Sequence, residues 1–589
     1  MKRTNIDLTG NPFYLSEDDI KWVEETKAQM TDDEKVGQLF VPMGLSGEDG
    51  IVHHLTRDCH IGGIMYRTGE AEDIRSTHEK LQNSSKIPLL IAANTEAGGD
   101  GLCAEGTTFG KPMAVAATND TENAYRMGYV ACREGAAVGL NWSFAPIVDI
   151  DKEFHNPITN VRTFGSNVKR VRDMASAYLR GAKENQVAVS IKHFPGDGVD
   201  ERDQHILTSV NSLTCEEWDE SYGYVYQSLI DEGAQTVMVG HIAMPEYVRK
   251  MNPDATDREC YLPASVSKEL LSGLLREKLG FNGVISTDSS CMIGYTTAMK
   301  RADAIVSSIA NGCDIILFNK DLDEDISFIK QGIAAGRISA ERLDDAITRI
   351  LALKASLKLH EKQKNNTLIP AAQNLSVIGC EQHQQWAKEV ADASVTLVKD
   401  TQNLLPISPE KYKRVYLNVI QRKLTNAEHP IVRQWKELFE KEGFEVTVRD
   451  RTTTIELENF LGINMTPKKR ELMGELYRSI GDFTQTKDLY VYILNIENGS
   501  NNTTARIDWN VVFGLGDDAP WFSEEIPVLF ISTANPYHLF DAPMARTFIN
   551  SYHSNPNSNA AVMDKIMGRS KFRGVSPVDP FCGKEYLKL

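Results

Sequence analysis

The sequence has no apolar run approaching the roughly 20 residues that a membrane helix requires. It has no internal repeat, no low-complexity tract and no excess of basic residues. The nine cysteines are odd in number, and none forms a C-x-x-C pair or a Cys/His group with zinc spacing. These absences exclude a membrane-spanning helix, a repeat solenoid and a cysteine-rich secreted scaffold. Cys59, Cys132 and Cys313 stand in apolar contexts and read as small buried hydrophobes. The formal net charge of -17 keeps such a protein soluble and repels polyanions, so neither nucleic acid nor an anionic membrane is an expected partner. The opening stretch MKRTNIDLTGNPFY lacks the apolar core of a secretory leader, and a cytoplasmic location is the expectation.

What is present is ordinary globular sequence, 41% hydrophobic and 25% charged. At 589 residues the chain is too long for one hydrophobic core. Short apolar runs at 38–43, 61–66, 88–93, 139–145, 186–194, 235–241, 283–288 and 313–318 alternate with amphipathic stretches. SKELLSGLLREKLG and EEWDESYGYVYQSLIDEGA are two of those stretches. Thr31 and Glu34 have the spacing of a capping box opening a helix. Continuous apolar strands separated by helices indicate a parallel sheet covered on its faces. Eight such units predict a (β/α)8 barrel, with an open doubly wound sheet as the alternative. The barrel is expected over 1–360 and a polar linker over 361–378. An α/β domain over 379–589 has strands in KRVYLNVI, FEVTVRD, DLYVYILNIE and IPVLFIST, and helices in IVRQWKELFEKEG and NAAVMDKIMG.

In a parallel barrel, reactive side chains collect at the C-terminal ends of the strands. Here those ends carry Asn94 and Glu96, Asp149, Lys192 and His193, His241, and Asp288. Asp288 follows the buried run GVIST, which would hold its carboxylate against the barrel mouth; equally, Asp is a favoured helix N-cap. The loop KHFPGDGVDERDQH (192–205) returns Asp203 and His205 two residues apart. In extended backbone that spacing puts both on one side, where the carboxylate fixes the imidazole tautomer and favours the charged ring. A solvated polar loop is the plain alternative. A metal site at His193, Asp197, Asp203 and His205 is another, though its spacing matches no common zinc pattern. Arg162 offers a planar fork of donors to hydroxyls or to a carboxylate. Trp142 reads as core rather than as a sugar platform.

The loop 192–205 resembles the signature K-H-F-P-G-H-G-(D)-x-x-x-D-[ST]-H of family 3 glycoside hydrolases, in the β-N-acetylhexosaminidase branch. LNWSFAPIVDI, NPITNVRTFG, IAANTEAGG and GVISTD resemble other barrel motifs of that family. ADASVTLVKDTQNLLPI, FISTANPYHL and FINSYHSNPNSNAAVMDKIMG resemble its sandwich domain. The resemblance implies a barrel followed by a smaller α/β sandwich, and a retaining double displacement on a carbohydrate substrate containing N-acetylglucosamine. It implies Asp288 as nucleophile, His205 as acid/base and Asp203 as its partner. Arg162, Lys192 and His193 would hydrogen-bond the sugar, and Asn94 and His241 would line the same subsite. No metal or organic cofactor is implied.

Three positions depart from the signature. Asp197 stands where His is usual, Gln204 where Ser or Thr is usual, and Asn94 where an Asp commonly grips hydroxyls. Asn both donates and accepts, so a hydroxyl can still be held. An exo-acting β-N-acetylglucosaminidase is the leading expectation. A phosphorylase using phosphate instead of water, a β-glucosidase and a non-catalytic sugar-binding protein are the alternatives. An imidazole acid/base favours phosphate, and an Asp197 facing the site would oppose it. The second domain is expected either to contribute to the substrate site or to serve a homodimer.

Overall fold

The computed structural model describes residues 6–452, 463–511 and 516–589. The first five residues of the opening stretch therefore lie outside the described residues. The chain divides into two compact units. The first comprises Met1–Pro112, Asp120–Trp386 and the tetrapeptide Ser500–Thr503; the second comprises Met113–Asn119, Ala387–Gly499 and Thr504–Leu589. The division falls between Trp386 and Ala387 rather than within 361–378. Part of the reason is a buried carboxylate: Glu134 accepts from the Gly379 N–H at 3.0 Å and pairs with His383 Nδ1 at 2.7 Å, holding 379–383 on the first unit. The segment read as a linker also carries the end of a helix, Leu359–Lys364, and a 3-10 turn, Ala372–Val377.

The first unit is an eight-stranded parallel barrel. Its strands are β1 Phe40–Val41, β2 Gly63–Met65, β3 Leu90–Ala93, β4 Trp142–Ser143, β5 Ala188–Phe194, β6 Thr236–Val239, β7 Val284–Ser289 and β8 Ile315–Leu317. The sheet runs β1-β8-β7-β6-β5-β4-β3-β2, and a parallel bridge between Met43 and Met65 joins its two edges. Seven strands lie inside the apolar runs read from the sequence and β7 runs one residue past its own, to Ser289, because a barrel strand is covered on both faces. The capping box at Thr31 and Glu34 forms, each side chain bonding the other residue's N–H. Trp142 is core: it is fully buried, and its indole N–H donates to Thr236 Oγ1 at 2.9 Å.

The second unit is a six-stranded sheet of β9 Thr396–Asp400, β10 Arg414–Ile420, β11 Glu445–Val448, β12 Leu489–Leu494, β13 Val528–Ser532 and β14 Thr547–Asn550. Its order is β9-β14-β13-β12-β10-β11, parallel except for the edge strand β9. The period of two in β12 feeds two cores. Leu489, Val491 and Ile493 join Trp435, Phe439 and Val562 on one face, and Tyr490, Tyr492 and Leu494 join Phe522, Phe530 and Phe548 on the other.

All nine cysteines are free, and no helix among the described residues is long and apolar enough to cross a membrane. Asp314, just before β8, is fully buried and pairs with Arg276 at 2.6 Å and with Arg342. Replacing one partner of such a cluster leaves buried charge uncompensated. Asp314→Ala is therefore expected to cost about 3–5 kcal/mol of stability, read from the urea midpoint of tryptophan fluorescence. An unchanged midpoint would mean that the two guanidiniums find other compensation.

Candidate active site

The C-terminal ends of the barrel strands bring most of the sequence-predicted residues together through two carboxylates, the partly buried Glu96 and the buried Asp149. Glu96, beyond the end of β3, accepts from Arg162 in bidentate fashion at 2.8 and 3.1 Å and meets Lys192 Nζ at 2.7 Å. Lys192 also donates to Asn94 Oδ1 at 3.3 Å. Burial would raise the Glu96 pKa, but the charges of Arg162 and Lys192 hold it well below the usual carboxylate range. Arg162, Lys192 and Asn94 are thus one cluster around Glu96, a residue that sequence reasoning placed at the rim but gave no role. The two-residue spacing of Asn94 and Glu96 at a strand end was the available signal.

The second organiser is Asp149. Its Oδ1 accepts from the backbone N–H groups of His193 and Asp197, and its Oδ2 pairs with His193 Nδ1 at 2.7 Å. That bond places the proton on Nδ1 and leaves Nε2 3.8 Å from Asp288 Oδ2. Successive residues of a regular strand face opposite ways. Here Lys192 and His193 both engage site carboxylates, because the pairing of β5 with β6 shifts by one residue between Lys192 and Phe194.

Asp288 belongs to β7, and the next helix is capped at Met292, so the helix-cap alternative does not hold. Its Oδ1 accepts from the Ser289 N–H at 2.7 Å. Its Oδ2 is buried and accepts no hydrogen bond among the described residues. Burial pushes the Asp288 pKa up, but His193, then His241 and His205, with the Ser289 N–H, outweigh it and leave the pKa below the ordinary value.

The loop after β5 turns tightly at Gly196 and Gly198, whose φ values are 123° and 99°. A Cβ on Gly198 would lie 2.1 Å from the Ile150 carbonyl oxygen, so only glycine fits. Asp203 Oδ1 meets His205 Nδ1 at 2.6 Å and also accepts the His205 N–H. Its Oδ2 accepts the N–H of Asn501 at 2.6 Å, from the tetrapeptide that the barrel unit takes from far downstream.

Two of the departures have structural roles. Asp197 is buried, with its oxygens occupied by Asn156 Nδ2, the Gly198 N–H and Gln204 Nε2. Burial and the neighbouring Asp149 raise its pKa to about 7. Gln204 in turn accepts the His241 N–H at 2.8 Å, tying the loop to the end of β6. His241 is also fully buried. Its ring bonds Ser265 Oγ and the Ser289 carbonyl, tying it to the β7 end, and burial lowers its pKa to about 4. The alternative of a metal in this loop has no support in the geometry, since His193, Asp197 and His205 are each bound to a different polar partner.

Residues 31–353 match the model of the glycosyl hydrolase family 3 N-terminal domain. The chain belongs to glycosyl hydrolase family 3. It is 42% identical to a beta-N-acetylglucosaminidase/beta-glucosidase of Cellulomonas fimi over 98% of this chain and 99% of that protein. A solved beta-glucoside phosphorylase, BglX, is also 42% identical, with TM-score 0.89 over 98% of this chain and 99% of that one. A family 3 beta-N-acetylglucosaminidase from Paenibacillus sp. str. FPU-7, at 22% identity, shares the fold with TM-score 0.73, over 94% of this chain and 99% of that one. As a family 3 glycosidase, the protein acts on carbohydrate.

Glu96→Gln removes the charge around which Arg162 and Lys192 are arranged. It is expected to weaken binding of an uncleaved sugar analogue by about 10- to 100-fold, the scale of a lost charged hydrogen bond. Calorimetric titration measures this, and wild-type affinity in the variant would show that Glu96 organises nothing the sugar needs.

Proposed function

We propose that the barrel mouth cleaves terminal β-linked N-acetylglucosaminides, and β-glucosides as a second class, with retention of anomeric configuration. The observation that carries this reading is Asp288 Oδ2, a buried carboxylate oxygen without a hydrogen-bond partner among the described residues, on a group whose pKa the surrounding imidazoles hold below the ordinary value. In the first step that oxygen attacks the anomeric carbon and forms a glycosyl ester. The glycosidic C–O bond breaks, and His205 Nε2 gives its proton to the departing oxygen. In the second step His205 takes a proton from water, whose oxygen displaces Asp288 and releases the β-sugar. Asp203 holds His205 through Nδ1 and stabilises its charged form, while Arg162, Lys192, His193 and Asn94 hold the sugar hydroxyls. His241 would act by supporting the Ser289 carbonyl rather than by contact with the sugar. Retaining enzymes commonly use two carboxyl groups about 5–5.5 Å apart; here the imidazole takes the place of one. The paired names of the Cellulomonas fimi relative support the two sugar classes.

A second reading, phosphate in place of water, is favoured by Asp197. That carboxylate is turned into its own loop and spends its oxygens there, so it presents no charge against an anion. After donating its proton, His205 is neutral, whereas a carboxylic acid in that position would become an anion. Two unit charges about 5 Å apart at an effective dielectric constant of about 20 repel by about 3 kcal/mol. The name of BglX points the same way.

Aryl β-N-acetylglucosaminide and aryl β-glucoside, each with and without phosphate, separate these readings. Free N-acetylglucosamine at a phosphate-independent rate is the expected product, with glucose released more slowly. The β-sugar-1-phosphate would establish phosphorolysis with the same residues. Asp288→Asn is expected to lower kcat/KM by about 10^3-fold or more, as loss of a nucleophile does elsewhere; wild-type turnover would overturn the mechanism. The depressed pKa of Asp288 also sets a direction with pH. The carboxylate stays ionised as pH falls through the ordinary carboxylate range, and activity is lost only below it. His193→Gln removes the foremost compensating group and is expected to move the acid limb of kcat/KM to higher pH by about one unit. An acid limb that stays in place would mean that Asp288 is not the group titrating there.

A further inference from the structure

On the outer layer of the barrel, three side chains from two distant segments meet. His54 and Cys59 lie in and just after the helical stretch between β1 and β2, and Asp323 lies in the first turn of helix Leu322–Ala334, which follows β8. Cys59 Sγ is 3.5 Å from His54 Nε2 and 3.5 Å from Asp323 Oδ1, and His54 Nε2 is 3.3 Å from Asp323 Oδ2. A tetrahedral zinc with bonds of about 2.3 Å to sulfur and about 2.0 Å to nitrogen and oxygen sets its ligand atoms about 3.5 Å apart for S···N and S···O and about 3.3 Å apart for N···O. The S···N separation has that length, while Asp323 turns Oδ1 to the sulfur and Oδ2 to the nitrogen, so its exposed carboxylate must rotate to bring a single oxygen to the metal. The other ring nitrogen of His54 meets Asp58 Oδ2 at 3.3 Å. Zinc-bound histidines make that contact to an outer carboxylate, which orients the ring and frees Nε2.

We propose that His54, Cys59 and Asp323 form a zinc site, with water as the fourth ligand, that ties the connection after β1 to the helix after β8. The mixed sulfur, nitrogen and oxygen set suits zinc, whereas magnesium and calcium take oxygen ligands alone. Cys59 is buried while His54 and Asp323 are partly or largely exposed, so the metal can enter from solvent. Binding forms the Zn–S bond and releases the thiol proton to solvent. The site spans 264 residues of chain. The clip closes the seam where β1 pairs with β8, and metal bound only by the folded barrel raises its thermal midpoint.

The test uses the full chain, stripped with chelator and titrated with cobalt(II) and then with zinc. The expected result is a thiolate-to-cobalt charge-transfer band, bleached by zinc, with one zinc retained per chain by elemental analysis. Cys59→Ser should abolish the band. Asp323→Asn, at a largely exposed side chain where folding is not at stake, should weaken binding by at least about 10-fold, and Asp58→Asn by a similar factor. Cys291→Ser, removing the exposed thiol, should leave the band intact. A missing band, a band that survives Cys59→Ser, or one lost with Cys291→Ser would overturn the proposal.

Discussion

A carboxylate removed from water must be compensated, and the mouth of this barrel is arranged around that demand. Asp288 ends a buried strand with one oxygen bonded and the other bare. Its ionisation rests on the imidazoles around it. His193 is in turn fixed by Asp149, and Arg162 and Lys192 are balanced by Glu96 rather than left to pair with Asp288. Arg162 and Lys192 share the Glu96 carboxylate, and His193 has that of Asp149. A bare Asp288 oxygen can persist only because the neighbouring charges are satisfied elsewhere.

Most of the architecture was legible in the sequence, because barrel strands announce themselves as apolar runs and the polar residues that end them mark the mouth. All eight barrel strands coincide with the predicted stretches, β7 running one residue past its own. The second unit was read less fully. Its strands β9 and β14 were not picked out, since TLVKD and TFIN are short and half polar. Periodicity has little to work on in four or five residues.

Within the site, the sequence indicated which residues gather but not how they are held. Glu96 and Asp149 were visible only as strand-end acids, since their partners lie tens of residues away in sequence. His241 was expected on the sugar side because its motif position suggested it; its buried ring, bonded at both nitrogens, is tied to the β7 end. Asp197 and Gln204, which looked like blemishes in the loop signature, turn out to bond each other. Such pairs are hard to read from a single sequence, because each residue alone breaks the pattern and only the two together restore the loop.

The contact between Asn501 and Asp203 has a temporal side. The two residues are 298 positions apart, so Asp203 leaves the ribosome long before its second hydrogen-bond donor exists. The barrel strands and the loop with His205 are all synthesised by then. During that interval one oxygen of the Asp203 carboxylate has only water for company, and the imidazole it steers is correspondingly less constrained.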